Sequence, residues 1–116
     1  MEYNLEKRTF DFSKSILNYL KGIEITNLNR AIISQLIRSA TSVGANYREA
    51  NSASSKKDFI NKIAIVRKEI NETKYWIELL GELKINNKND LRSLWLETSE
   101  LVRIFNKIYH SSKNNI

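Results

Sequence analysis

The chain of 116 residues contains no cysteine and no proline, and only three glycines and one histidine. Each shortage excludes something. Without cysteine there is no disulfide framework, no thiolate metal ligand and no thiol nucleophile, which fits a reducing compartment. Without proline, and with glycine scarce, the usual punctuators are missing, so long elements joined by few connections are expected. A single imidazole, His110, leaves no partners for histidine-based metal sites or for a hydroxyl nucleophile that needs a base. No stretch approaches the roughly 20 apolar residues of a membrane span. The opening MEYNLEKRTFDF mixes acids with bases and lacks an apolar core, unlike a signal peptide. A cytoplasmic protein with no membrane partner is expected.

What is present is the composition of a folded chain, 41% hydrophobic and 28% charged. Its length suits one domain over residues 1–116. A net charge of +6 favours an acidic partner, nucleic acid first. The excess is diffuse: residues 1–30 carry five bases and four acids, 55–84 seven and five, 85–116 five and three.

Apolar residues recur at helical spacing in four segments, about 10–21, 27–51, 55–83 and 90–111. The first starts near Thr9 or Asp11, carries Phe12, Ile16, Tyr19 and Leu20, and has Gly22 as a candidate C′ stop. The second presents Leu28, Ile32, Ile33, Leu36, Ile37, Ala40, Val43 and Tyr47. Ser55, with Asp58 three residues on, opens the third in the manner of a capping box. Phe59, Ile63, Val66, Ile70, Ile77 and Leu80 follow. The fourth is capped by Asn89 or Asp90 and carries Leu91, Leu94, Trp95, Leu101, Val102, Phe105, Ile108 and Tyr109. The polar tail SSKNNI should fray. Four amphipathic helices without an alternating strand pattern indicate an all-α, antiparallel up-down-up-down four-helix bundle. Tyr75, Trp76, Trp95 and Leu96 make the apolar faces of the third and fourth helices broad, which fits either a wide core stripe of the kind large aromatics need or a surface partly covered by a second subunit.

The second helix is unusual. Gln35, Arg38, Ser42, Asn46 and Glu49 form one polar line, flanked by the small residues Ser39, Ala40, Val43, Gly44 and Ala45. Such a helix approaches its neighbours closely and carries polar groups toward a core. Arg38 then needs a carboxylate, and Glu69 and Glu72 on the next helix are the natural choices. Gln35 and Asn46 are expected to bond across helices, and Glu49 to help fix the register against Glu69 and Glu72. A buried, unpaired charge at this line would cost about 3–5 kcal/mol.

Catalytic readings are poorer. A di-metal carboxylate bundle needs Glu-x-x-His pairs, and no Glu stands three residues before His110. Glu49, Glu69 and Glu72 alone make a weak hard-cation set. Ser39, Ser42 and Ser52 have no histidine in their region. No glycine-rich phosphate loop is present. No cofactor and no catalytic role are therefore expected. For nucleic acid, Arg48, Lys56, Lys57 and Lys62 cluster around the turn between the second and third helices. Lys56 and Lys57 lie in a first helical turn, whose backbone N–H groups also favour an anion. A scaffold that binds proteins, with incidental positive charge, is the alternative.

Gln35-Leu36-Ile37-Arg38-Ser39-Ala40, then Ser42-Val43, Asn46 and Glu49-Ala50, followed by Lys57, Phe59, Ile60, Glu69, Glu72 and Leu79, carry a resemblance over residues 10–110. The chain resembles the small four-helix-bundle proteins encoded in intervening sequences of bacterial large-subunit ribosomal RNA genes, some of them labelled ribosomal proteins. It departs at Gly44, where the family more often has proline, and at Asn51, where it more often has glycine. The resemblance implies a homopentamer of partly basic four-helix bundles with no established enzymatic role. A similar fold occurs in accessory proteins of diversity-generating retroelements, which bind nucleic acid and a reverse transcriptase. An RNA or nucleoprotein partner is the corresponding expectation here.

Overall fold

Helical spacing of apolar residues does produce four helices, and local polar side chains decide where the first three begin. The structure, a computed structural model, describes residues 4–83 and 88–114. It contains α1 (Leu5–Lys21), α2 (Arg30–Asn51), α3 (Lys56–Gly81) and α4 (Lys88–Asn114). Among the described residues there is no strand.

α1 begins four residues before Thr9. The Asn4 side chain accepts the Lys7 N–H at 3.0 Å and caps the helix, and Leu5 and Thr9 extend the buried stripe of Phe12, Ile16, Tyr19 and Leu20. Thr9 is core, not a start signal: its hydroxyl donates to the Leu5 carbonyl at 2.7 Å, so burial leaves it satisfied. Gly22 ends α1 with a φ of −90°, in the right-handed half of conformational space. Its lack of a side chain is therefore not what stops the helix.

α2 begins at Arg30 and not at Asn27. Thr26 and Asn29 bond reciprocally, backbone N–H to side-chain oxygen, at 2.8 and 3.1 Å, and Asn29 Nδ2 donates to the Glu24 carbonyl. This local knot competes with the helix and delays it. Leu28, expected inward, is consequently 73% exposed.

α3 starts as the sequence suggests, with Ser55 Oγ accepting the Asp58 N–H at 3.0 Å. In α4, Asn89 and Asp90 stand inside the first turn instead of capping it. The helix runs through Ser111 and Ser112 to Asn114, across the tail expected to fray. Residues 84–87 of the expected loop lie outside the described residues.

α2 packs most extensively on α3, α4 on α3 and α1 on α2, while α1 and α4 barely touch. The core is Ile16, Leu36, Val43, Ile63, Val66, Ile70, Ile77, Leu80, Leu101 and Phe105, all fully buried. Each such side chain contributes about 1.5–3 kcal/mol by leaving water. The small residues of α2 allow close approach. A Cβ on Gly44 would lie only 3.3 Å from Thr9 Oγ1, and buried Ser39 meets buried Thr73 across α2 and α3 at 3.0 Å. Between α1 and α4 a hollow of about 810 Å³ remains, bridged by Arg8, whose Nε and Nη2 donate to Glu97 at 2.9 and 2.8 Å.

Candidate nucleic-acid interface

The turn between α2 and α3 brings the four expected cations to one end of the molecule, but it does not leave them equivalent. Lys62 donates to Glu49 Oε1 at 2.8 Å, and that hydrogen bond raises its pKa. Arg48 lies 3.9 Å from Glu6 Oε1 and over the Phe10 ring at 5.6 Å, so it faces α1. Lys56 and Lys57 are exposed in the first turn of α3. Ser55 occupies the N-cap, its hydroxyl oxygen accepting the Asp58 N–H, so both lysines belong to the turn that carries the partial positive charge of the helix N-terminus.

The polar line of α2 is divided among three sets of partners. Arg38 is its centre. Nη1 reaches both oxygens of Glu69 at 3.0 and 3.2 Å, Nη2 donates to Glu72 at 2.6 Å, and Nε donates to Gln35 at 3.0 Å. Hydrogen bonding to Glu69 is the main cause of the raised Arg38 pKa. The arginine side chain is 46% exposed, whereas that of Glu69 is 11% exposed. The buried charge is thus the carboxylate, and the arginine covers it from the solvent side. Asn46 departs from expectation: its Nδ2 donates to the Ser42 carbonyl in its own helix, at 2.9 Å. Glu49 also departs, pairing with Lys62 and not standing with Glu69 and Glu72. Gln35 departs too, its Oε1 accepting from Arg38 Nε within α2 instead of bonding across helices. Arg38 and Glu49 are long enough to meet α3, while Asn46 is short enough to turn back on its own backbone.

Two features escaped sequence reasoning. Tyr19, read as simple core, has a buried hydroxyl with no partner among the described residues, and burial pushes its pKa up to about 12. Along α3 and α4, cations lie over rings. The Arg67 guanidinium is 4.1 Å from the Tyr109 centroid, Lys113 is 5.3 Å from the same ring, and Lys74 is 5.0 Å from the Trp95 ring. Periodicity alone placed the two rings on the apolar face and gave no sign of the cations beside them. No group of three or more His, Cys, Asp or Glu among the described residues could hold a metal ion. No helix there is long and apolar enough to cross a membrane.

A family model described as 23S rRNA-intervening sequence protein matches residues 1–107. The chain belongs to that family. A crystal structure of a protein with unknown function from the S23 ribosomal protein family of Bacteroides thetaiotaomicron is similar to it, with a TM-score of 0.77 and 34% identity over 90% of this chain and 96% of that one. No curated protein matches. Membership of the intervening-sequence family carries no enzyme class with it.

Proposed function

We propose that this intervening-sequence protein is a non-catalytic, self-associating four-helix bundle that binds RNA through the turn between α2 and α3. The observation that carries the RNA reading is the pair of exposed lysines, Lys56 and Lys57, set in the capped first turn of α3 on a chain of net charge +6. The family's association with 23S rRNA intervening sequences makes RNA the first acidic partner to test.

Contact register supports the antiparallel up-down-up-down order. Glu6 and Ser13 of α1 meet Asn51 and the Ala40 carbonyl of α2. Arg38 and Glu49 of α2 meet Glu69 and Lys62 of α3. Arg67 and Glu78 of α3 meet Asn106 and Trp95 of α4. In every pair the numbers rise along one helix as they fall along the other. Self-association, as a ring of five, is supported by apolar side chains left in solvent. Phe10 is 51% exposed and Leu17 is 40% exposed, and they flank a hollow of about 350 Å³ floored by Thr41, Gly44 and Ala45. Tyr75 and Leu96 are also about half exposed.

The test is binding of a structured RNA at low and moderate salt, with oligomer mass followed by light scattering. Affinity should fall steeply as salt rises, by a log–log slope of about 0.7–0.9 per phosphate contacted. Lys57→Gln should flatten that slope by roughly one contact. An intact oligomer that retains no RNA at low salt, yet captures a protein in nuclease-treated lysate, would replace this reading with the protein-scaffold one.

A further inference from the structure

Three cations lie over rings along a single seam of α3 and α4: Arg67 and Lys113 on Tyr109, and Lys74 on Trp95. Both rings are only half-buried. Arg67 is fixed in place by donating its Nε to Asn106 Oδ1 at 2.8 Å. Beside Trp95 the seam opens into a hollow of about 260 Å³, where Lys88 and Arg92 stand next to Glu78 and Glu82. Trp95 and Tyr109 are spaced about 21 Å along α4 at the helical rise of 1.5 Å per residue. Lys56 lies three turns before Arg67 on the same side of α3, so the seam continues into the capped turn.

We infer that the α3–α4 seam is a track for single-stranded RNA, running from the first turn of α3 to the hollow at Trp95. The inference rests on the RNA-binding reading and gives it a strand class and a direction. Single strands are held by cations that follow the phosphates and by flat groups on which exposed bases stack. Lys74 and Lys113 have flexible stems and can leave a ring for a phosphate. Arg67, held by Asn106 and Tyr109, presents its own planar face to a base. In the hollow, Glu78 accepts the Trp95 indole N–H at 2.8 Å, and its carboxylate and that of Glu82 repel phosphate while accepting base amino groups. A base enters there, with the backbone toward Lys88 and Arg92. A duplex keeps its bases stacked inside and cannot use the rings.

The full chain should be titrated with a labelled oligoadenylate of about ten nucleotides and with a blunt RNA duplex. Tyr109→Leu and Trp95→Leu should each weaken the single strand about tenfold and leave the duplex unchanged, whereas Lys57→Gln should weaken both. In a Trp76→Phe background, Trp95 is the sole indole, and oligoadenylate should quench its fluorescence. Melting curves establish folding of each variant; where a ring variant unfolds, Lys74→Gln and Lys113→Gln replace it, with losses on the order of threefold confined to the single strand. Unchanged single-strand affinity and no quenching, with Lys57→Gln still weakening binding, would overturn the track and leave the turn site standing. Equal losses for duplex and single strand would overturn it as well. If the unmodified chain binds neither RNA, the track and the RNA reading fall together.

Discussion

At the scale of single residues, the buried charge that matters is Glu69, with Arg38 as its partly solvated cover. Removing the cover exposes the carboxylate to a poor environment but also lets water in. Arg38→Met should therefore lower unfolding free energy by about 1–2 kcal/mol, less than a fully buried pair would lose. In urea melts the double variant Arg38→Met/Glu69→Met should lose less than the sum of the singles, because no orphaned charge remains. Tyr19 makes the opposite case. Its hydroxyl is buried without a partner among the described residues, so Tyr19→Phe should be neutral or stabilising near neutral pH, by up to about 1 kcal/mol. The raised pKa adds a signature. Unfolded tyrosine ionises near 10 and the folded group near 12, so the unfolded chain releases the proton first. Stability from this group is complete below pH 10 and declines between 10 and 12, by about 1–2 kcal/mol after allowing for solvent near the ring. The extra alkaline loss should vanish in Tyr19→Phe when the two are compared by urea melts at pH 9 and pH 11.5.

At the scale of the helix, Gly44 of α2 lies against Thr9 of α1, where a side chain would make a tight contact. Alanine would gain about 1 kcal/mol of helical propensity, but its Cβ would press on Thr9 Oγ1 at 3.3 Å, an oxygen already bound to the Leu5 and Glu6 carbonyls. Gly44→Ala alone should thus change little, while in a Thr9→Ala background it should stabilise by about 1 kcal/mol, measured as a double-mutant cycle of thermal melts. The four helices are legible in the sequence because their apolar stripes are long and keep to steps of three and four. Their ends are less so. The Thr26–Asn29 knot and the Asn4 cap depend on short-range geometry that several polar residues could have supplied equally well. The union of Arg38 with Glu69 and Glu72 is legible because a charge on a packed face demands an opposite one. The turn of Asn46 onto its own helix is not, because an amide is satisfied by any carbonyl within reach.

At the scale of the whole molecule, proposed self-association and proposed RNA binding are coupled. In a ring, one RNA can touch several α2–α3 turns, and each later contact forms at high local concentration. Leu17→Asp should reduce the mass seen by light scattering to that of one chain. A long structured RNA should then bind at least about a hundredfold more weakly, although no cation has been removed. The hollow between α1 and α4 has a different consequence. Because α1 rests chiefly on α2 and is tied to α4 mainly by the Arg8–Glu97 bridge, little holds it once that one side loosens. Its opening free energy should lie below that of α3, which is packed on both α2 and α4. In hydrogen exchange of the single-chain Leu17→Asp variant, where no neighbouring subunit covers α1, the amides of α1 should lose protection before those of α3, and a protease should make its first cut within residues 22–29, releasing a short helix from a three-helix remnant.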